Sequence, residues 1–443
     1  KIEKIRVASF FSGAGGLDLG FETEGFEIVF ASDIEPHFCE TLKLNKGKAL
    51  SQHAEVLCAD IRDIEFDSLP ASIDLVIGGP PCQSFSASGR RAGGAAGRLD
   101  QRGNLFEAYA RIIDHLKPKA FVFENVRGIF GTNKGKDWEH ILTIFEGLDY
   151  KIDYRLLDAA DYGTPQHRER VFLVGHKLSN YFLFPMPIFG PDSEGKTPHV
   201  TPAEAFKTVR NTNKELSETP FEGGKYSHLL REVPEGQNYL FFTAKRGYPE
   251  PKFAYRSRFS DFLYKADPCC PMKTVIASPG KYTGPLHWEN RYFTVSEYKA
   301  IQGFPQDFVI FGERSTQIKQ IGNAVSPLIA AEIAKAVKSQ VFNKEAKVAL
   351  LDHTSQLSFD KRKGKKAQIT RKTHLAAEEG GTSSLKIKET QKIITLNVSP
   401  SKLATENVEF KCSKDGRTFQ ISAHYDDSKT PSVNAEIEVF EKP

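Results

Sequence analysis

The segment DLVIGGPPCQSFSASG, Asp74 to Gly89, runs an apolar stretch into Gly78, Gly79, Pro80 and Pro81 and then presents Cys82 in a rigid turn. A thiolate is a strong nucleophile when it is accessible and helped by positive charge. A lone cysteine is most often a small buried apolar residue. Here the fixed glycine and proline backbone, with polar residues beyond it, points to an accessible thiol. The following stretch, Ser86 to Asn104, carries Gly89, Gly93, Gly94, Gly97 and Gly103 among Arg90, Arg91, Arg98 and Arg102. Its glycines suit a mobile lid and its arginines a phosphate-facing one. The plain alternative is a solvated flexible loop.

Three further segments could serve the same chemistry. FVFENV, Phe121 to Val126, is an apolar strand that brings Glu124 and Asn125 to its carboxyl end. Such a carboxylate usually pairs structurally, but near a nucleophile it can carry a proton or recognise a ring. YGTPQHRERVFLVG, Tyr162 to Gly175, sets Gln166, Arg168 and Arg170 on alternate positions of an extended run. With a period of two they project from one face and could converge with Glu124; charged residues on a strand edge are the bland reading. FFSGAGGLDLGF, Phe10 to Phe21, has Gly13, Gly15 and Gly16 where the chain must turn tightly against a ligand, and Asp33 follows Gly15 by 18 residues. A dinucleotide fingerprint would have a third glycine where Asp18 stands, so no pyrophosphate is required. Asp33, and Asp60 within VLCADI, could instead hold a ribose and an adenine amino group.

These residues need a scaffold, and the chain supplies one. From Ile5 to about Gly175, short apolar runs alternate with helical stretches, which predicts βαβ units and a mostly parallel sheet. Expected strands are Ile5 to Phe11, Glu27 to Ser32, Leu75 to Gly78, Ala120 to Glu124 and Val171 to Gly175. Ligands gather at the carboxyl ends of such strands. From Lys177 to Asn290 the pattern gives way to proline, glycine, aromatic and basic residues, a loop-rich second domain whose core could be Tyr239, Phe241, Phe242, Tyr248, Phe253 and Tyr255. Helical spacing returns between Tyr292 and Lys338 and closes back on the first domain. Beyond Phe342, KRKGKK and EEGGTSS mark a basic linker, and KIITLNV, VEFKC, TFQISAHY and AEIEVFE alternate like strands of a small β module.

The chain has 443 residues, 40% hydrophobic and 26% charged, which suits two to three domains folding in water. Its net charge of +4 makes no case for nucleic acid, so any DNA surface must come from local clustering. The six cysteines, Cys39, Cys58, Cys82, Cys269, Cys270 and Cys412, show neither a disulfide framework nor the C-x-x-C spacing of a zinc site. A reducing cytoplasm fits best. No signal peptide and no bilayer-spanning apolar run are evident.

The ordered set FFSGAGGLDLGF, SDIE, ADIRD, GPPCQSFSASG, RGNLF, ENV, YGTPQHRER, RYFTVSEYKAIQGFP and QIGNAVSP resembles the DNA cytosine carbon-5 methyltransferases of the bacterial restriction-modification type, over Ile5 to about Lys338. The resemblance implies a Rossmann-like α/β S-adenosylmethionine-dependent domain at 1–176 and 291–342 and a smaller target-recognition domain at 177–290. A linker at 343–385 and a β-rich extension at 386–443 lie beyond it. S-adenosylmethionine would bind at Phe11, Gly13, Gly15 and Gly16, with Asp33 on the ribose, Ile34 against the adenine, and Asp60 and Ile61 at the adenine edge. Gly79, Pro81, Leu105 and Asn323 would complete that pocket. The residue after the ribose-binding acid is often larger in the family than Ile34.

By the same resemblance, Cys82 attacks carbon 6 of cytosine, Glu124 holds or protonates nitrogen 3, and Arg168 contacts the base carbonyl with Asn125 and Arg170 in support. No metal is needed. The cytosine must leave the duplex, because stacking hides carbons 5 and 6. Gln83, Ser86, Ser88, Arg90, Arg91 and Arg102 fall on the DNA side of the loop. In the recognition domain the basic, aromatic stretch KRGYPEPKFAYRSRF offers Lys245, Arg246, Arg256 and Arg258, against a solvated basic face. Thr274 opens a segment like the family's Thr-Leu pair, with Val275 in place of leucine. The implied partner is double-stranded DNA, bound by a monomer without a membrane; a cognate restriction endonuclease is a partner such systems can include. A tRNA cytosine-5 methyltransferase shares the motifs and is the closest rival. A nicotinamide dehydrogenase, a catalytically dead DNA-binding regulator and an amino-methylating DNA enzyme each leave the PPCQ turn or its partners unexplained.

Overall fold

The computed structural model describes residues 4–47, 50–81, 105–256 and 259–357 in full, together with the backbone of four strands between 384 and 423. The N-terminal body alternates strands and helices. β1 (Ile5–Phe10) leads to α1 (Gly16–Thr23), β2 (Phe26–Asp33), α2 (Pro36–Leu44), β3 (Glu55–Cys58) and β4 (Leu75–Gly78). There follow α3 (Leu105–Leu116), β5 (Ala120–Val126), α4 (Lys136–Glu146), β6 (Lys151–Asp158), the two-residue β7 (Gln166–His167) and β8 (Glu169–His176). The seven-stranded sheet has the order β3-β2-β1-β4-β5-β8-β6. Its chain order reverses between β1 and β4, the crevice where open α/β sheets bind ligands.

The sheet is mixed. The strands from β3 to β5 pair in parallel, whereas β8 runs antiparallel to both β5 and β6. A mostly parallel sheet was the expectation, and β6 was not among the expected strands. Its charged residues explain the omission. Arg155 is buried within β6, and its Nη2 donates to the carbonyls of His353 and Ser355 at 3.1 and 3.0 Å. Those partners lie some two hundred residues along the chain, so nothing near Arg155 in sequence marks this edge run as a strand.

Each face of the sheet carries its own apolar layer. One joins Val7, Phe21, Ile28, Ile77, Val122 and Phe172 to the last helix of the body, through Ile329, Ile333 and Val337. The other joins Phe10, Phe30, Val76, Phe121 and Phe123 to Tyr109 of α3 and to Trp138 and Phe145 of α4. After the loop-rich region come β9 (Met272–Lys273), α5 (Val295–Gln302), α6 (Arg314–Asn323) and α7 (Pro327–Gln340). Thr294 and Glu297 form a reciprocal capping box at the start of α5, while Ser326 caps α7 with Pro327 at its first turn. α7 lies against α1, so close that a Cβ on Gly20 would fall 2.4 Å from that of Ala330.

Between β8 and α5 the chain forms short turns around a core of Phe221, Leu229, Leu230, Val233, Tyr239, Phe242, Leu263 and Leu286. Phe241, Tyr248 and Phe253 pack against it as expected, but Tyr255 is half exposed. The stretch beyond 342 departs from the expected linker at its start. Residues 343–357 return along the catalytic body: Leu351 N–H donates to Phe184 O at 2.8 Å, Met186 N–H to Ala349 O at 2.8 Å, and Leu351 and Leu357 are buried. Compactness divides the chain into one unit at Lys1–Thr370 and another at Arg371–Pro443. In the second, β10 (Ser384–Glu389) pairs antiparallel with β11 (Lys392–Asn397), and β12 (Val408–Lys414) with β13 (Arg417–Ala423). The AEIEVFE segment lies outside the described residues.

Candidate active site

Where β1 ends, Phe11 takes a left-handed φ of 54°, and Gly13 and Gly15 follow at 55° and 78°. Most side chains avoid that region, so the tight loop at the sheet's carboxyl edge carries strain at Phe11. A Cβ on Gly13 would meet open space, whereas one on Gly16 would fall 2.0 Å from the carbonyl of Val325. Gly13 thus faces a possible ligand, and Gly16 is needed for packing. Asp33, at the end of β2, accepts the N–H of Gly13 at 2.9 Å and of Glu35 at 3.0 Å. Burial raises its pKa, with those two N–H groups opposing the shift. Ile34 beside it is 60% exposed, an aliphatic face open at the mouth of the loop.

Asp60 differs from its expected role at an adenine edge. Its Oδ1 accepts both the backbone N–H and the Nε of Arg62 at 2.9 Å, and its Oδ2 accepts Nη2 at 2.5 Å. Arg62 holds the carboxyl below its usual range. The buried Ile61 beside it supplies apolar wall, and Leu105 opens α3. Asn323 is exposed at the last position of α6.

A second set of groups lies at the ends of β4 and β5. Glu124 is 8% exposed, and its Oε1 pairs with Nε of Arg170 at 2.9 Å. Burial raises its pKa, and the guanidinium groups of Arg170 and Arg168 oppose that rise. A Cβ on Gly79 would come 2.9 Å from Glu124 Oε2, so a side chain there would have to displace the carboxylate. Asn125 braces the same turn, its Nδ2 donating to Pro80 O at 2.8 Å. Pro81 is exposed at the end of the described turn. Cys82 follows it in the chain and lies outside the described residues, as do Gln83, Ser86, Ser88, Arg90, Arg91 and Arg102.

Gln166, Arg168 and Arg170 were expected to converge with Glu124; only Arg170 reaches it. Arg168, 1% exposed, turns its Nη2 to the carbonyls of Gly322 and Ala324 at 2.8 and 2.9 Å. Gln166 is fully buried against Gln302. The three residues share an extended segment, but β7 and β8 are separate strands in different sheets, and the period of two does not carry across the break. Asp158 was missed by sequence reasoning. Fully buried, it accepts Arg168 N–H at 2.7 Å and pairs with His167 Nδ1 at 2.9 Å, fixing the arm between β6 and β8. No local sequence signal marks it.

In the loop-rich region Lys245 and Arg246 are exposed, and Lys245 Nζ lies 4.1 Å above the ring of Tyr255. Arg256 is also exposed, near Phe259, while Arg258 falls outside the described residues. Thr274 lies apart from these, donating its hydroxyl to His167 O at 2.6 Å.

The fold is a doubly wound α/β sheet with a glycine loop and a buried acid, Asp33, at one crevice and a buried carboxylate–guanidinium pair, Glu124 and Arg170, at the next. The chain belongs to the C-5 cytosine-specific DNA methylase family, whose model matches residues 5–339, and it is a DNA cytosine-5 methyltransferase. It is 34% identical over 371 residues to the Type II methyltransferase M.SacI of Streptomyces achromogenes, covering 76% of this chain and 94% of the relative. It is 35% identical over 341 residues to the Type II methyltransferase M.NgoFVII of Neisseria gonorrhoeae, covering 75% and 86%. A solved structure described as a prophage-encoded DNA modification methyltransferase of E. coli shares the fold at a TM-score of 0.54, with 22% identity over 77% of this chain and all of that one. Family membership implies a methyl donor and a DNA substrate. Among the described residues no helix is long and apolar enough to cross a membrane.

Proposed function

We propose that the protein methylates carbon 5 of a cytosine flipped out of double-stranded DNA, through a covalent bond from Cys82. The observation that carries this reading is the buried Glu124–Arg170 pair at 2.9 Å beside the turn that leads to Cys82, with Asn125 bracing Pro80. Cytosine carbon 5 is a poor nucleophile. Addition of the Cys82 thiolate to carbon 6 turns the ring into an enamine, provided that charge at nitrogen 3 is relieved. Glu124, whose burial favours its protonated form, supplies that proton or hydrogen bond, and Arg170 faces the same end of the base. Arg168, expected at the base carbonyl, acts instead through the backbone it holds. Once carbon 5 carries the methyl group, removal of its proton supplies the electron pair that breaks the carbon 6–sulfur bond, releases Cys82 as a thiolate and restores aromaticity.

The residues of the first crevice fit S-adenosylmethionine. Gly13 leaves room for close approach, partly exposed Asp33 offers a carboxylate to ribose hydroxyls, and Ile34 offers an apolar face. Gly15, Gly16 and Phe11 shape the loop, and Ile61, Gly79, Pro81, Leu105 and Asn323 border the pocket; Asp60 reaches the adenine only by sharing its carboxylate with Arg62. Bound there, S-adenosylmethionine supplies the electrophilic methyl group. Gln83, Ser86, Ser88, Arg90, Arg91 and Arg102 serve as the loop that closes over DNA, and Lys245, Arg246, Arg256, Arg258 and Thr274 as contacts to it. On this reading the protein works in a bacterial cytoplasm as a monomer and protects host DNA from a cognate endonuclease, a role in keeping with its similarity to Type II methyltransferases.

Bisulfite sequencing of DNA from an expressing host tests the whole reading. New 5-methylcytosine within one short sequence is expected, and its loss in Cys82→Ala. DNA carrying 5-fluorocytosine should trap a covalent adduct, because fluorine cannot leave as a proton does. An active alanine variant, or transfer to tRNA in place of DNA, would overturn it.

A further inference from the structure

A chain of side-chain amides runs through the interior between the two binding regions. Val275 N–H donates to Gln166 Oε1 at 3.1 Å. Gln166 Nε2 donates to Gln302 Oε1 at 2.5 Å and to Ile301 O at 3.1 Å. Gln302 Nε2 in turn donates to Ala324 O at 2.5 Å, the carbonyl that Arg168 Nη2 also reaches at 2.9 Å. Gln166 and Gln302 are fully buried, and Arg168 is 1% exposed. One end of this chain is therefore the segment with Thr274 and Val275; the other is the backbone on both sides of Asn323.

The direction of the chain is fixed. A backbone N–H stands at one end and a backbone carbonyl at the other, so neither amide can flip without setting donor against donor or acceptor against acceptor. Breaking the chain is costly, because a buried amide stripped of its partner costs about 1–3 kcal/mol. The backbones themselves also touch, since a Cβ on Gly322 would fall 2.5 Å from Cα of Ala277. Movement of the Val275 segment must either carry Ala324 with it or strand buried polar atoms.

We propose that Gln302 and Gln166 are positioning residues that couple DNA engagement at the Thr274 segment to the cofactor-side position of Asn323. This rests on the reading above that DNA meets the first and S-adenosylmethionine the second. Reciprocity requires each ligand to tighten the other by one common factor, on the order of 5- to 150-fold for couplings of ordinary size. Gln302 stands within RYFTVSEYKAIQGFP, yet nothing in its spacing marks it apart from a core residue.

The test uses the full chain, S-adenosylhomocysteine as a stable cofactor probe, and a duplex that the enzyme is shown to methylate. Calorimetry gives the affinity for each ligand alone and in the presence of the other. The wild type should show the enhancement. Gln302→Met should retain both separate affinities and lose the enhancement, and Gln166→Met with Gln302→Met should be no worse than either alone. Gln302→Glu adds a pH-dependent arm, in which unchanged separate affinities at both pH values distinguish lost coupling from lost fold. Its carboxylate accepts from Gln166 but repels the Ala324 carbonyl, so coupling should be weak at neutral pH and return as acid protonates it. A wild type without enhancement, an unchanged enhancement in Gln302→Met, additive single effects, or a Gln302→Glu coupling indifferent to pH would each overturn the proposal. Failure to methylate any duplex would instead overturn the reading on which it rests.

Discussion

Two buried acids carry opposite tasks, and each has a measurable signature. Glu124 has a raised pKa, chiefly from burial, so its protonated form persists to higher pH than an ordinary carboxyl would allow. If the proton is used at the base, single-turnover rates fall as pH rises through that raised value. Glu124→Gln cannot titrate: the alkaline limb should vanish and the rate should drop about 10²- to 10⁴-fold, the usual share of a positioned acid. A variant that kept the limb would assign it to another group. Asp18, in the first turn of α1, is fully buried, and neither oxygen has a hydrogen-bond partner among the described residues. The Ser9 hydroxyl beside it is engaged with Ser12 at 2.8 Å and offsets burial only in part; the pKa is raised to about 7. The folded state therefore holds this proton more tightly than the unfolded chain, whose carboxyl titrates near 3.8. Its contribution to stability is fully present below the unfolded value and is lost as pH rises through about 7. Asp18→Asn should flatten that decline, read as urea midpoints on the two sides of neutrality. Parallel profiles for the two proteins would refute this.

At the scale of elements, what could be read from the sequence was whatever depended on neighbours along the chain. β1, β2, β4 and β5 were legible as apolar runs ending in glycine or acid, because an inner parallel strand is buried on both faces. The glycine loop and the GPPC turn were legible for the same local reason. β6 was not, since its Arg155 is satisfied by carbonyls at 353 and 355. Nor was the division of labour between Arg168 and Arg170, which is decided by where α6 ends and not by alternation along the strand. The α1–α7 contact likewise joins distant segments, and it yields a prediction. In Gly20→Ala the new methyl would meet Ala330 Cβ at 2.4 Å and Pro327 O at 2.7 Å, so the helices must part. Overpacking of this kind costs about 1–3 kcal/mol, which chemical denaturation would register as a lower midpoint with an unchanged slope.

For the whole molecule, the segment after α7 belongs to the catalytic body up to at least residue 357. Leu351 and Leu357 are buried in the layer that also holds Phe182 and Phe184. Loss of one such leucine side chain costs about 2–5 kcal/mol. A chain ending after Leu357 should keep its thermal midpoint, whereas one ending after Phe342 should melt far lower. If both melted alike, the packing of 343–357 would be incidental.

The contact of Gly16 with the Val325 carbonyl has a further consequence, in time. The glycine loop after β1 is completed by a residue made more than three hundred positions later. At roughly 5 to 20 residues per second, the growing chain waits on the order of 15 to 60 s between the two. During translation, therefore, the loop has no wall behind it. A ribosome stalled before Val325 carries Cys82, Glu124 and Arg170 but no finished cradle, and a host gains methylating capacity only as the last helices of the body emerge.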